Sequence, residues 1–194
     1  NSGHVRIYDY NGSAWVQVGA DIDGEAANDD SGRSVSLSSD GSRVAIGAPD
    51  NNGNGSSSGH VRIYDYDGSA WVQVGADIDG EAANDKSGSS VSLSSDGSRV
   101  AIGAPENGGN GSSSGHVRIY DYDGSAWVQV GADIDGEAQG DALGYSVSLL
   151  SDGSRVAIGA PLNDAGNASS YSWGHVRMYD YNGSAWAQVG ADID

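Results

Sequence analysis

Residues 34–49 read S-V-S-L-S-S-D-G-S-R-V-A-I-G-A-P, and the stretch returns unchanged at 90–105 and, with Leu150 as its one change, at 146–161. Each copy holds two short runs in which apolar residues fall at every second position, Val35/Leu37 and Val44/Ile46 in the first. Period two is the signature of a strand with two different faces. Between the runs lies Asp-Gly, at Asp40-Gly41, Asp96-Gly97 and Asp152-Gly153. That dipeptide accepts the positive φ angles of a two-residue type I′ turn, so each copy predicts a tight β-hairpin.

The hairpin belongs to a larger unit. Gly-His-Val-Arg occurs at Gly3, Gly59, Gly115 and Gly174, at spacings of 56, 56 and 59 residues. His4–Gly59 and His60–Gly115 differ at five positions only, which marks recent duplication and one shared shape. Each unit opens on a second strand pair, His4–Tyr10 and Ala14–Val18, joined at Asn11-Gly12 (Asp67-Gly68, Asp123-Gly124 and Asn182-Gly183 in the others), again a type I′ signal. An acidic connector, residues 19–29, then leads into the hairpin of residues 34–49, and a polar loop, residues 50–58, leads out. Nothing in the unit has a helical period. The repeat units are 3–58, 59–114, 115–173 and the half unit 174–194, one array of about 3.5 repeats over residues 1–194.

Four antiparallel strands per repeat, apolar on both faces, fit a β-propeller blade packed between two neighbours. A β-sandwich seldom carries near-identical tandem units, and a β-solenoid uses shorter coils. The predicted fold is therefore all-β: a propeller-like array of four-stranded antiparallel blades, three and a half in number and too few to close a ring. Trp15, Trp71, Trp127 and Trp186 are expected in the inter-blade core. The open ends are expected to pack on other repeats, in a longer chain or head to tail between copies, as a ring or a fibre.

Composition narrows the partners. The chain has 27 acidic and 9 basic residues, a formal charge of −18 and no Cys. Phosphate backbones are repelled by such a surface, so nucleic acid is excluded as a partner. Disulfides and thiolate metal sites are excluded with it. No apolar run reaches the roughly 20 residues that a membrane-spanning helix needs.

The pattern S-G-x-S-V-S…D-G-S-R-V-A-I-G-A-P…G-H-V-R-I-Y resembles the FG-GAP repeat of integrin α-subunit propellers, and the resemblance covers essentially the whole chain. It implies a propeller blade, an extracellular setting and an adhesive or structural role. Gly47-Ala48-Pro49 and its copies keep the second half of the family pattern, whereas the Phe-Gly positions read Ser31-Gly32, Ser87-Gly88 and Leu143-Gly144. The family's calcium loop, a run of alternating Asp, is replaced by Ser38-Ser39-Asp40-Gly41-Ser42 with a single carboxylate. Hard cations take six to eight oxygens, so that turn is not expected to hold calcium.

Calcium could instead be held by the connector acids Asp21, Asp23, Glu25 and Asp29, repeated as Asp77, Asp79, Glu81, Asp85 and as Asp133, Asp135, Glu137, Asp141. The competing reading is that they are turn residues capping their own backbone. Asp50-Asn51-Asn52-Gly53-Asn54-Gly55 begins like an EF-hand loop but lacks the closing Glu. Asn11, Asn54, Asn110, Asn167 and Asn182 head glycosylation triplets. His4, His60, His116 and His175 begin equivalent strands and are read as loop anchors, too far apart to share one ion. The array contains no nucleophile elbow, phosphate-cradling loop or carboxylate pair distinct from its repeats. The few non-repeated residues are Arg33, Lys86, Gln139, Leu143, Tyr145, Leu150, Tyr171 and Trp173, of which Tyr171 and Trp173 are expected to form a contact surface. The sequence thus predicts a non-enzymatic extracellular structural or adhesive protein associating head to tail. The alternative is a calcium-dependent glycan- or protein-binding module that uses the connectors and residues 162–173.

Overall fold

A computed structural model describes residues 2–164 and 173–194; Tyr171 and the Asn167 triplet fall outside them. The described residues hold strands and turns, with no helix. In the first unit the strands are β1 (His4–Val5), β2 (Tyr8–Tyr10), β3 (Trp15–Gln17) and β4 (Ile22–Asp23). The second sheet holds β5 (Ser34–Leu37), β6 (Arg43–Ala48), β7 (His60–Tyr66), β8 (Trp71–Gln73) and β9 (Ile78–Asp79). The third repeats it as β10 (Ser90–Leu93), β11 (Arg99–Ala104), β12 (His116–Tyr122), β13 (Trp127–Gln129) and β14 (Ile134–Asp135). The fourth holds β15 (Ser146–Leu149), β16 (Arg155–Ala160), β17 (His175–Tyr181) and β18 (Trp186–Gln188).

Sheet order follows chain order, β5-β6-β7-β8, β10-β11-β12-β13 and β15-β16-β17-β18, all antiparallel. The first strands of successive sheets lie against each other, β5 by β10 and β10 by β15. Three complete blades and one half blade therefore stand side by side, as the strand count predicts. The connector is more ordered than a loop: β9 and β14 add a fifth short strand beside the start of β7 and β12. In the first unit the seven-residue strand splits into β1 and β2, because no inner hairpin supports its other edge.

Both hairpin turns differ from the type I′ expectation. Asp40 and Asn11 keep negative φ, and only the glycines, Gly41 at 71° and Gly12 at 94°, are left-handed. The carboxylate of Asp40 instead accepts from Ser42 N–H, Ser42 Oγ and Ser38 Oγ at 3.0, 2.8 and 2.7 Å. These bonds, the Ser42 amide first, hold its pKa at about 2. Asn11 Oδ1 likewise accepts from the Ser13 and Ala14 amides, each at 3.0 Å. A side chain that bonds the backbone two and three residues on sets the turn where the backbone alone would need two left-handed residues.

The serines between Val and Leu are not a solvated face. Val91 and Leu93 are buried against the preceding blade, beside Ala45, Val61 and Ile63. Their serine neighbours bond the following one: Ser90 Oγ donates to Gly144 O at 2.8 Å, and Ser92 Oγ accepts from Leu149 N–H at 2.9 Å. Trp71, Trp127 and Trp186 cross the same seam, each donating Nε1–H at 2.9 Å to the carbonyl of Val18, Val74 or Val130 in the blade before. Trp15 departs from the expectation. It has no preceding blade and is 69% exposed.

Candidate functional site

Two places gather polar chemistry. The first lies where the copies differ. Asp30, Arg33, Pro49, Asp50, Lys86, Ser89, Pro105, Glu106 and Tyr145 line a cleft of about 420 Å³. Of the five positions at which the first two units differ, three, Asp30/Lys86, Arg33/Ser89 and Asp50/Glu106, bring all six of their residues to the cleft. Tyr145, the third unit's counterpart of Arg33, lines it as well. The sequence marked Arg33, Lys86 and Tyr145 as non-repeated; what it did not show is that three units bring them to one place. Lys86 pairs with Asp50 across the unit boundary. The Arg33 guanidinium makes no hydrogen bond or ion pair among the described residues, and Tyr145 is 61% exposed.

The second place is the blade junction, where the connector acids go separate ways. Asp21 is gripped by Arg6 through two bonds of 2.9 and 2.7 Å, and this contact lowers its pKa to about 2. Asp23 and Asp79 turn their backbone carbonyls to Arg62 and Arg118 of the next unit, at 2.7 Å each. Asp29, Asp85 and Asp141 are buried and cap their own turns, accepting from the amides of Ala26, Ala82 and Ala138 at 2.9, 2.8 and 2.9 Å. The carboxylates of Asp21, Asp23, Glu25 and Asp29 are thus not brought together within one connector. Each Glu crosses the junction instead. Glu25 meets His60 and Asp77, Glu81 meets His116 and Asp133, and Glu137 meets His175 and Asp192. Burial pushes the His60 and His116 imidazoles below the ordinary histidine value. The remaining acid, Asp135, ends β14 opposite His116.

The EF-hand-like loop is closed by its own side chains. Asn51 Oδ1 accepts from Gly53 N–H at 2.7 Å and its Nδ2 donates to buried Asp29 at 3.1 Å. Asn54 spends its amide nitrogen on the carbonyls of Gly80 and Glu81, at 2.9 and 3.0 Å, and Asn110 does the same to Gly136 and Glu137, at 2.9 and 2.8 Å. Asn11 and Asn182 stand exposed at hairpin tips. Trp173 is 76% exposed and lines a cleft of about 330 Å³ with Tyr145, Val176 and Ile193 on the last blade. The three Phe-position residues are all buried, Ser31 at 6%, Ser87 at 0% and Leu143 at 0% exposure.

Four-stranded antiparallel blades sharing apolar faces define a β-propeller-type repeat array. Residues 76–120 match the family model described as FG-GAP repeat, in agreement with the pattern of the repeated hairpins. No curated protein matches the sequence. Among solved structures the fold is similar to a "putative 6-phosphogluconolactonase" from Bacteroides uniformis (TM-score 0.67, 11% identity, 99% of this chain and 49% of that one). A Bacteroides fragilis protein of the same description is also similar (TM-score 0.63, 12% identity, 96% and 48%). Hydrazine synthase of Kuenenia stuttgartiensis follows at TM-score 0.55 and 13% identity, over 98% and 44%. The chain thus spans about half the length of the structures it matches, and at these identities the likeness is one of fold. No helix among the described residues is long and apolar enough to cross a membrane.

Proposed function

We propose that this is a non-enzymatic, extracellular structural or adhesive repeat protein whose end blades associate head to tail with further blades of the same kind. The observation that carries the reading is that its two end faces are uncovered copies of an internal seam. On the leading face Tyr8, Trp15, Val35 and Leu37 are 42, 69, 53 and 49% exposed. Their internal counterparts Tyr64, Val91 and Leu93 are 8, 8 and 7% exposed. On the trailing face Val176 is 38% exposed where Val61 and Val117 are 0%. A head-to-tail contact of this kind is heterologous and propagates to a ring or a filament. The FG-GAP match and the acidic surface support an extracellular setting. The cleft supports a non-catalytic role, since Ser89, its one serine, spends its proton on the Lys86 carbonyl at 2.7 Å. Light scattering after size exclusion tests the association: species larger than one chain at micromolar concentration, reduced to monomer by Trp15→Asp, are expected. A wild-type monomer overturns it.

A second reading, a glycan- or protein-binding module, is favoured by the convergence of the diverged residues on one cleft. A free guanidinium beside an exposed Tyr suits a carboxylated sugar. On affinity electrophoresis a mostly neutral soluble polysaccharide bearing scattered uronate residues should retard the chain, and Arg33→Ala and Tyr145→Ala should each weaken binding about tenfold. An unretarded wild-type chain removes this reading.

A further inference from the structure

At the two interior junctions a buried histidine faces two carboxylates across gaps too long for hydrogen bonds and spaced for a shared ion. His60 Nδ1 lies 3.5 Å from Asp77 Oδ2 and 4.0 Å from Glu25 Oε2. His116 Nδ1 lies 3.7 Å from Asp133 Oδ2 and 3.8 Å from Glu81 Oε2. Direct N–H···O bonds run to about 3.2 Å. Two ligands each about 2.1 Å from one tetrahedral ion stand about 3.4 Å apart, so these spacings need only a slight contraction around a cation. Both imidazole side chains are 2% exposed and neither makes a hydrogen bond among the described residues. Their partner carboxylates are 27 to 46% exposed, which leaves an entry path from solvent.

The outer shell already orients these ligands. Gln73 Nε2 donates to Asp77 Oδ1 at 2.6 Å, and Gln129 Nε2 to Asp133 Oδ1 at 2.6 Å, so in each case the other oxygen is left for the histidine. Arg62 Nη1 lies 3.4 Å from Glu25 Oε1, and Arg118 Nη1 lies 3.7 Å from Glu81 Oε1, again sparing Oε2. Outer-shell donors that fix one oxygen and free the other are what a metal site requires.

The arginine also decides which junctions are open. Arg62 and Arg118 are drawn aside, each donating Nη2–H to the carbonyl of Asp23 or Asp79 and lying 5.6 Å from the ring centre of Tyr64 or Tyr120. At the ends of the array the same residue fills the gap. Arg6 binds Asp21 with both Nε and Nη2, and among the described residues no Glu joins His4 and Asp21 in such a group. Arg177 binds Asp192 at 3.0 and 3.2 Å and also contacts Glu137 Oε2, the oxygens a cation would need.

We propose that the junctions at His60 and His116, but not those at His4 and His175, each bind one divalent cation of the zinc class. The protein ligands are His Nδ1, Asp Oδ2 and the Glu Oε2 contributed by the preceding unit, with water completing the shell. A mixed nitrogen–oxygen set of this size favours such a cation over calcium, which takes six or more oxygens. Because Glu25 and Glu81 come from the blade before, each ion would tie two blades together.

Chelator-stripped protein titrated with zinc chloride in a calorimeter is expected to take up two equivalents. His60→Gln and His116→Gln should each remove one, and His4→Gln none. Glu25→Gln and Glu81→Gln keep the test open if a buried histidine variant does not fold, since these half-exposed side chains can change without disturbing the core; each should also remove one equivalent. In nitrogen-15 spectra the Nδ1 signals of His60 and His116 should move with zinc while that of His4 stays. Absence of saturable uptake, a third equivalent at His175, unchanged stoichiometry in the Glu variants, or displacement of zinc by equimolar calcium overturns the proposal.

Discussion

Trp127→Ala is expected to lower stability by about 3 kcal/mol or more, while in a dilute, unassociated chain Trp15→Ala, the same substitution at the same position of the repeat, costs about 0.5 kcal/mol or less. Trp127 donates to Val74 O in the preceding blade, packs against the core of Val91, Leu93 and Tyr120, and lies 5.2 Å from the Tyr122 ring. Arg43 of the preceding blade covers it at 5.8 Å while holding Asp65 with two bonds of 2.6 and 2.7 Å. Truncation removes an aromatic side chain, a cation–π contact and a hydrogen bond, and leaves the Val74 carbonyl without that donor. Trp15 keeps only its own Tyr10, at 5.4 Å, and is 69% exposed. Thermal unfolding of the two variants measures the difference. Losses that become near-equal as protein concentration rises would show that Trp15 is covered in solution, which is what end-to-end association requires.

That contrast also explains how much of the molecule could be read from its letters. Four strands per blade, blade order and the seam positions of Trp71, Trp127 and Trp186 follow from period two and from the repeat, because both are local or copied signals, whereas the short connector strands β9 and β14 and the exposure of Trp15 do not. The turn type was misread at Asp40 and Asn11, since Asp-Gly and Asn-Gly serve type I′ turns and side-chain-capped turns alike. Alternation places the serines of β10 on one face, and only a structure shows that this polar face bonds the next blade. The same limit applies to the acids. Spacing alone allows Asp21, Asp23 and Glu25 either to share one ion or to cap their own turn, whereas the array sends Glu25 across the junction to His60 and Asp77, residues 35 and 52 positions further on. The cleft was half legible. Arg33, Lys86 and Tyr145 stand out as differences between copies, but their convergence depends on how three units pack.

Gly103→Ala tests the seam at its tightest point. A Cβ built on Gly103 would lie 2.0 Å from the Gly144 carbonyl oxygen of the next blade and 2.4 Å from Ser90 Oγ. The φ of Gly103 is not left-handed, so the glycine is required by the neighbour and not by its own backbone. A backbone carbonyl cannot turn aside, so the blades must separate and the Ser90–Gly144 bond stretches with them. A cost of about 3 kcal/mol follows from overpacking of this kind. Gly159 holds the same place in the last blade. Its Cβ would meet Ser146 Oγ at 2.5 Å, the movable end of a side chain, and a carbonyl, that of Ser146, only at an ordinary contact distance of 3.9 Å. Gly159→Ala should therefore cost less than about 1 kcal/mol in an isolated chain. Urea midpoints at low protein concentration should separate the two variants clearly. If the cost at Gly159 rises toward that at Gly103 as concentration increases, the trailing face has acquired a neighbouring blade, and the glycine of the Gly-Ala-Pro motif is explained as the place where one repeat's backbone admits the next.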